Sequence, residues 1–167
     1  GATATFELNS ATTVGGGVND LLQVNGNLTL NNNALSGVLL GQPQTGVPYR
    51  LINFTGTRSG SFNPAVTILG GGRLAANLSY NDALGRVDLT FSGAAANLRW
   101  DSQSDITWNQ GTATNWHNLG TSAADVFFDF DSVLFGNTPG LQPTVDIGDG
   151  VTVRPSQSTV DSTNTGY

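Results

Sequence analysis

His117 is the only histidine in the 167-residue chain, and histidine is the residue type that most often acts as a base near neutral pH. A catalytic triad needs an acid that orients the histidine and a nucleophile in front of it. Asp105 and Asp125 could orient His117, but the sequence has no nucleophile signature such as G-x-S-x-G. We therefore interpret His117 as a surface-loop residue, and the sequence predicts no catalytic residue and no enzyme.

Three carboxylates, Asp125, Asp129 and Asp131, alternate with apolar residues in a segment that predicts a strand over residues 126–130. Carboxylates on one face could bind Ca²⁺ or form the acid–base pair of a polysaccharide lyase or hydrolase. Their spacing lacks the glycine punctuation of a calcium loop, and the chain has no lysine. Solvated outward faces and turn caps are the favoured interpretation. We predict no metal and no cofactor.

Trp100, Trp108 and Trp116 recur at intervals of eight residues. An exposed row of aromatic rings offers flat apolar platforms on which sugar rings stack, which would make these residues glycan contacts. The other interpretation is that they fill a small core beneath a long loop. The core interpretation is favoured, and a carbohydrate-binding adhesin remains the alternative.

The charge inventory excludes several partners. Only 11% of the residues are charged, the net charge is −6, and all six basic residues are scattered arginines. Nucleic acids and anionic membrane surfaces require clustered positive charge, so neither is a predicted partner. No apolar stretch approaches the ~20 residues of a membrane helix, which argues against membrane insertion. Because the chain lacks Met, we expect a processed protein or an excerpt of a longer one.

Short alternating runs bounded by Gly, Asn and Asp predict an all-β fold. The clearest pair lies over residues 74–91, where two runs flank a turn. This pattern predicts an antiparallel hairpin with Gly85 at a positive φ. The Asn25-Gly26 step predicts a hairpin turn or a corner. In the second half, residues 126–130, 132–135, 144–147, 151–154 and 158–160 are predicted as short strands. Strands recurring about every ten residues fit a solenoid, a sandwich or a barrel.

A small-residue stretch over residues 93–97 suggests a linker between two β-rich halves, residues 1–92 and 98–167, which could also form one continuous unit.

The chain resembles the autotransporter-associated β-strand repeat family from about Thr5 to Tyr167. The residues that carry the resemblance are Asp20 to Leu30, Tyr49 to Gly56, Leu98-Arg99-Trp100, Thr114-Asn115-Trp116, Asp131 to Phe135, Val145 to Val153 and the final Asn-Thr-Gly-Tyr. The resemblance implies a β-solenoid, and we predict a right-handed one that includes the antiparallel hairpin. Because that hairpin is antiparallel, a β-sandwich is the alternative. The resemblance also implies a bacterial passenger region that is extracellular or on the cell surface, with no catalytic residues to carry over. The chain holds a single repeat in a rotated register.

Unpaired strand edges give this resemblance a functional consequence. A solenoid presents free backbone N–H and C=O groups at its ends, which neighbouring repeats normally cover. We therefore predict a non-catalytic structural or interaction module that assembles head-to-tail into a fibre or tandem array. Its partners would be copies of itself or neighbouring repeats, with surface glycans as the alternative. The predicted edge residues are Thr5, Phe6, Glu7, Leu8, Val151, Val153 and Val160.

Overall fold

A computed structural model describes residues 2–136 and 141–161. The chain is an all-β solenoid with 45% strand and 2% helix, so the predicted fold class is confirmed and the β-sandwich is set aside. It divides into two compact units, Gly1–Ala94 (unit 1) and Ala95–Tyr167 (unit 2). The final Asn-Thr-Gly-Tyr lies outside the described residues. No helix in the described ranges has the length and apolar character needed to cross a membrane.

Unit 1 contains nine strands in its described residues. They are β1 (Thr3–Leu8), β2 (Leu22–Val24), β3 (Leu28–Asn31), β4 (Ala34–Leu39), β5 (Pro48–Phe54), β6 (Arg58–Ser61), β7 (Thr67–Leu69), β8 (Ala75–Asn81) and β9 (Arg86–Ser92). The parallel pairs β1–β4, β2–β5 and β3–β6 join positions that are 30 or 31 residues apart. The first coil (β1 to β3) therefore stacks on the second (β4 to β6).

Corners between the strands follow the turn chemistry of the sequence. The Asn25-Gly26 step separates β2 from β3, and so it is a solenoid corner and not a hairpin. Asn32, between β3 and β4, has a φ of 54°. Asparagine tolerates this left-handed conformation better than most residues. In β1 and β3 the period of two buries alternate side chains, such as Phe6 and Leu8 in β1.

The predicted hairpin is confirmed as β8 and β9, which pair antiparallel around Gly85 at a φ of 58°. A Cβ at Gly85 would lie 2.1 Å from the Phe54 carbonyl oxygen, so this turn requires glycine. Strand β9 also pairs antiparallel with β5, so the sheet β2-β5-β9-β8 reverses direction there. The hairpin takes the place where a third parallel strand would lie, and it closes this side of the solenoid.

Side chains cover the outer edge of β6 at the same end of unit 1. The Arg58 Nε donates to Asp82 Oδ1 at 2.7 Å, and its guanidinium lies 4.4 Å from the centroid of the Tyr80 ring. Another Arg58 nitrogen donates to the Gly60 carbonyl, and the Tyr80 hydroxyl accepts from the Phe62 N–H at 3.0 Å. The hydrogen bond from Arg58 lowers the pKa of Asp82. Polar contacts therefore cover β6, while β7 is the outermost strand of its own sheet.

Unit 2 contains five strands in its described residues, in the sheet order β12-β11-β10-β13-β14. They are β10 (Asn97–Trp100), β11 (Trp116–Asn118), β12 (Ala123–Asp125), β13 (Ser132–Phe135) and β14 (Gln157–Val160). Strands β10, β13 and β14 run parallel, whereas β11 and β12 form an antiparallel extension. The core beneath them consists of Leu98, Trp100, Trp108, Trp116, Phe127 and Val133.

Three predicted strands of unit 2 are absent. Residues 126–130, 144–147 and 151–154 make no regular ladder, apart from isolated bridges at Phe127 and Asp146. The Asp129 carboxylate accepts from the Arg154 backbone N–H at 2.9 Å, and Phe130 has a φ of 73°. The Asp129 side chain takes a backbone N–H that a neighbouring strand would otherwise bind. The left-handed conformation of Phe130 interrupts the extended chain. The alternation of apolar and polar residues predicted strands here, but these side-chain hydrogen bonds replace the hydrogen bonds of a ladder.

Candidate functional site

The acidic residues singled out from the sequence are structural acceptors. Asp129, 5% exposed, accepts from Gln110 Nε2 at 2.9 Å and from Arg154 Nε at 2.8 Å, in addition to the Arg154 N–H. Asp131, 0% exposed, accepts from Ala96 N at 2.7 Å and from Phe128 N at 2.9 Å. The prediction of turn caps is confirmed, but that of solvated faces is wrong for these two residues. Within residues 2–136 and 141–161, no group of three or more ligand residues could hold a metal ion.

Phe130 lies between these two carboxylates in a backbone conformation that is a genuine outlier for a bulky side chain. Phe130 is 7% exposed, and the Arg154 guanidinium lies 5.5 Å from the centroid of its ring. Strain of this kind persists only where the surroundings over-determine it. The carboxylates of Asp129 and Asp131 provide that constraint, and together they fasten the Arg154 segment to the preceding turn.

His117 lies in β11, not in a loop as predicted, and is half-buried between its register partners Arg99 and Ala124. The two acids that could orient it bind other groups. Asp125 accepts from Asn118 Nδ2 at 2.8 Å. Asp105 accepts from Thr107 N at 2.9 Å, and hydrogen bonds from Thr107 and then Asn115 lower the pKa of its carboxyl. The structure does not bring these residues together as a triad.

The three tryptophans form a buried aromatic cluster. Trp100, Trp108 and Trp116 are 0%, 7% and 1% exposed. The rings of Trp100 and Trp116 meet edge to face with centroids 5.1 Å apart, and Trp100 Nε1 donates to the Gln142 carbonyl at 3.0 Å. The predicted glycan contact by these residues is therefore wrong, because no ring face is free to stack on a sugar. The core interpretation is confirmed.

The first coil of unit 1 presents one side that no other described strand covers. Strands β1, β2 and β3 are each outermost in their sheets as far as the described residues extend. We call the outer side of these three strands the first-coil face. The predicted edge at Thr5, Phe6, Glu7 and Leu8 lies in β1 of this face, where the side chains of Phe6 and Leu8 point into the core.

The peptide groups of β1 alternate between β4 and the first-coil face. The Leu8 carbonyl accepts from Leu40 N at 2.8 Å, so the even-numbered residues of β1 bond toward β4 and the odd-numbered residues face outward. Glu7 faces outward, but Asp20 covers it: Glu7 N donates to Asp20 Oδ2 at 2.8 Å, and the Glu7 carbonyl accepts from Asp20 N at 3.0 Å. The outward peptide groups of Thr3 and Thr5 have no strand beside them in the described chain.

A groove of about 250 Å³ adjoins β1 at this face. Its walls are mostly apolar, and they include Ala4, Phe6, Leu22, Leu28, Leu30, Ile52 and Phe62. Leu22 in β2 is 47% exposed, although its register partner Ile52 in the second coil is buried. The core of unit 1 thus approaches solvent beside the open edge of β1.

Strand β14 is one of the two outermost strands of the unit 2 sheet, opposite β12, and among the described residues it pairs only with β13. All four of its residues are exposed, and Val160 is 59% exposed. Asp161 N donates to the Phe135 carbonyl at 2.9 Å, so odd-numbered residues bond toward β13 and the peptide groups of Ser158 and Val160 face outward. Val160 was predicted at this edge, and the structure places it there.

Val151 and Val153 do not lie on this edge, and their prediction as edge residues is wrong. Val151 lies in a turn, with its N–H donated to the Gly148 carbonyl at 3.0 Å. Val153 packs against the aromatic core. The edge strand begins only at Gln157, since Asp129 binds the Arg154 N–H and so removes it from a ladder.

Comparison of the chain with protein-family models, curated proteins and solved structures finds no match.

Proposed function

We propose that the protein is a non-catalytic structural module of a secreted bacterial surface protein, and that it associates head-to-tail through its strand edges. The observation that carries the proposal is that β1 and β14 are both parallel-paired strands that lie outermost in their sheets among the described residues. At the opposite end of unit 1 the hairpin covers β5 and Arg58 covers β6, and β7 is the edge strand there. Open edges are templates for pairing with another chain. The partners are copies of the chain or neighbouring repeats.

The chemistry of the two edges supports association. Natural edge strands are commonly protected by charge, especially Lys, or by Pro and bulges. The outward positions of β1 and β14 that remain open are Thr3, Thr5, Ser158 and Val160, none of which is charged. Only Glu7, at the end of β1, is charged, and Asp20 already binds its peptide groups. An edge with so little protection favours pairing.

The enzymatic alternative has no support at the residues proposed for it, because Asp129 and Asp131 are occupied as acceptors of structural hydrogen bonds. The glycan-binding alternative loses its aromatic platform to the core. The extracellular location and the autotransporter relationship rest on the sequence resemblance and on an Asn-, Thr- and Gly-rich chain without lysine.

Replacing Thr5 by proline tests the edge of β1. The Thr5 N–H faces the open side, so a proline there removes no bond within unit 1 but fills the space that a partner strand needs. We expect Thr5→Pro to weaken self-association by at least about tenfold (~1.4 kcal/mol), with unfolding changed by less than about 1 kcal/mol. Sedimentation velocity over a concentration series measures the association, and urea unfolding followed by circular dichroism measures stability.

Ala4→Pro is the matched control, because the Ala4 N–H points toward β4. It should destabilise unit 1 by about 3 kcal/mol or more, since a ladder bond is lost. Wild-type protein that stays monomeric at millimolar concentration would refute the proposed association. So would a Thr5→Pro protein that associates as strongly as the wild type.

A further inference from the structure

We propose that β14 of one copy adds to β1 of the next as a parallel strand, with Ser158 opposite Ala4 and Val160 opposite Phe6. This inference rests on the proposed function and specifies its interface. Three independent properties of the two edges support it. They are which residues have outward-facing peptide groups, which side of the sheet the side chains occupy, and how many residues of each edge strand are open.

The outward peptide groups of β14 and β1 can hydrogen-bond to each other when Ser158 lies opposite Ala4. In a parallel pair, one residue donates to and accepts from the two residues that flank its partner. Ser158 would donate to the Thr3 carbonyl and accept from the Thr5 N–H, and Val160 would donate to the Thr5 carbonyl. These are outward groups on both strands, so the pairing breaks no existing hydrogen bond.

The side chains match in the same arrangement. Ala4 and Phe6 lie on the inward face of β1 and line its groove. Ser158 and Val160 are the register partners of Val133 and Phe135, which belong to the core of unit 2 or pack against it. Paired residues in a sheet share a face, so Val160 would lie beside Phe6 over the groove. If β14 were shifted by one residue, Thr159 would lie opposite Phe6 over the groove and the Val160 side chain would face solvent.

The length of the ladder also agrees. Asp20 occupies both peptide groups of Glu7, so two open residues remain on β1, namely Thr3 and Thr5. Strand β14 likewise offers two, Ser158 and Val160. The contact joins two different edges, so it is heterologous, and repeated head to tail it links copies into an open array or a ring.

This register brings Glu7 opposite Asp161, two like charges at the end of the ladder. Like charges directly opposite each other on paired strands are destabilising. We expect Glu7→Gln to strengthen association roughly two- to fivefold, measured by sedimentation velocity at low salt. Asp149→Asn, which makes the same change of charge in an exposed turn, is the control and should have a smaller effect. An effect of Glu7→Gln no larger than that of Asp149→Asn would overturn the register.

Cysteine cross-linking tests the register directly, because the natural chain contains no cysteine. Two proteins are prepared, one carrying Ala4→Cys and the other Ser158→Cys, and they are mixed and oxidised. Neighbouring strands lie about 4.8 Å apart, within the Cα range that a disulfide bridges. The mixture should give a disulfide-linked heterodimer in high yield. Ala4→Cys mixed with Val160→Cys is the register-shifted control, at about 8 Å, and should give little product.

The outcomes separate the two proposals. Protein that remains monomeric in every mixture, with no cross-link, refutes the proposed function and the interface together. Protein that associates but links Ala4→Cys to Val160→Cys, or to a second Ala4→Cys, refutes this register and leaves edge association standing. A dominant link between Ala4→Cys and Ser158→Cys supports both.

Discussion

Trp116→Ala is expected to remove about 3–5 kcal/mol from the free energy of unfolding of unit 2. The Trp116 side chain is 1% exposed, and its ring centroid lies 5.1 Å from that of Trp100, 5.3 Å from that of Trp108 and 5.6 Å from that of Phe135. Truncation would leave a cavity at the centre of this cluster, which the remaining rings cannot fill without leaving their edge-to-face arrangement.

The effect should be large relative to the total stability of the unit. A unit of the size of Ala95–Tyr167 is stabilised by about 4–11 kcal/mol at typical values per residue. The loss would therefore unfold a substantial fraction of unit 2 at room temperature. All three tryptophans lie in unit 2, so tryptophan fluorescence in a urea titration reports on this unit alone.

Trp116→Phe is the matched control. Trp116 Nε1 has no hydrogen-bond partner in the described structure, so phenylalanine removes volume without breaking a polar contact. We expect a loss of about 1–2 kcal/mol, well below that of the alanine variant. A Trp116→Ala protein within 1 kcal/mol of the wild type would show that the cluster is not the core of unit 2.

Asp131→Ala is expected to cost about 2–5 kcal/mol, because it leaves the N–H groups of Ala96 and Phe128 without their acceptor. Asp131 is 0% exposed, so water does not readily replace the carboxylate. One of these bonds anchors the entry to β10, and the other holds the turn that contains Phe130. Urea unfolding gives the total effect, and hydrogen exchange at Ala96 and Phe128 locates it.

Asp131→Asn retains one acceptor oxygen and should lose roughly half as much stability as Asp131→Ala. Asp149→Ala, at an exposed turn, should change stability by less than about 0.5 kcal/mol. Equal stability of the Asp131→Ala and Asp149→Ala proteins would contradict the structural role of Asp131. Calcium binding or acid–base chemistry would then be the remaining uses for this carboxylate.

The unit 1 strands and the hairpin could be predicted because their signals are local. Leu28 and Leu30 alternate with polar residues, and Gly85 supplies a conformation that other residues adopt at a cost. The same reasoning placed strands at residues 126–130 and 151–154, where it was wrong. Periodicity does not report that Asp129 will accept the Arg154 N–H across 25 positions of the chain.

Absence of catalytic motifs and the presence of an all-β chain followed from the sequence by itself, because residue types and alternation depend on the order of residues alone. Whether the tryptophans were surface or core, and which strands were outermost, depended on contacts between residues far apart in the chain. Only the tertiary structure decided that Asp20 covers Glu7 while Thr3 and Thr5 stay open. A strand is an edge only if no other strand pairs with one of its sides, and that is decided only when the coils stack.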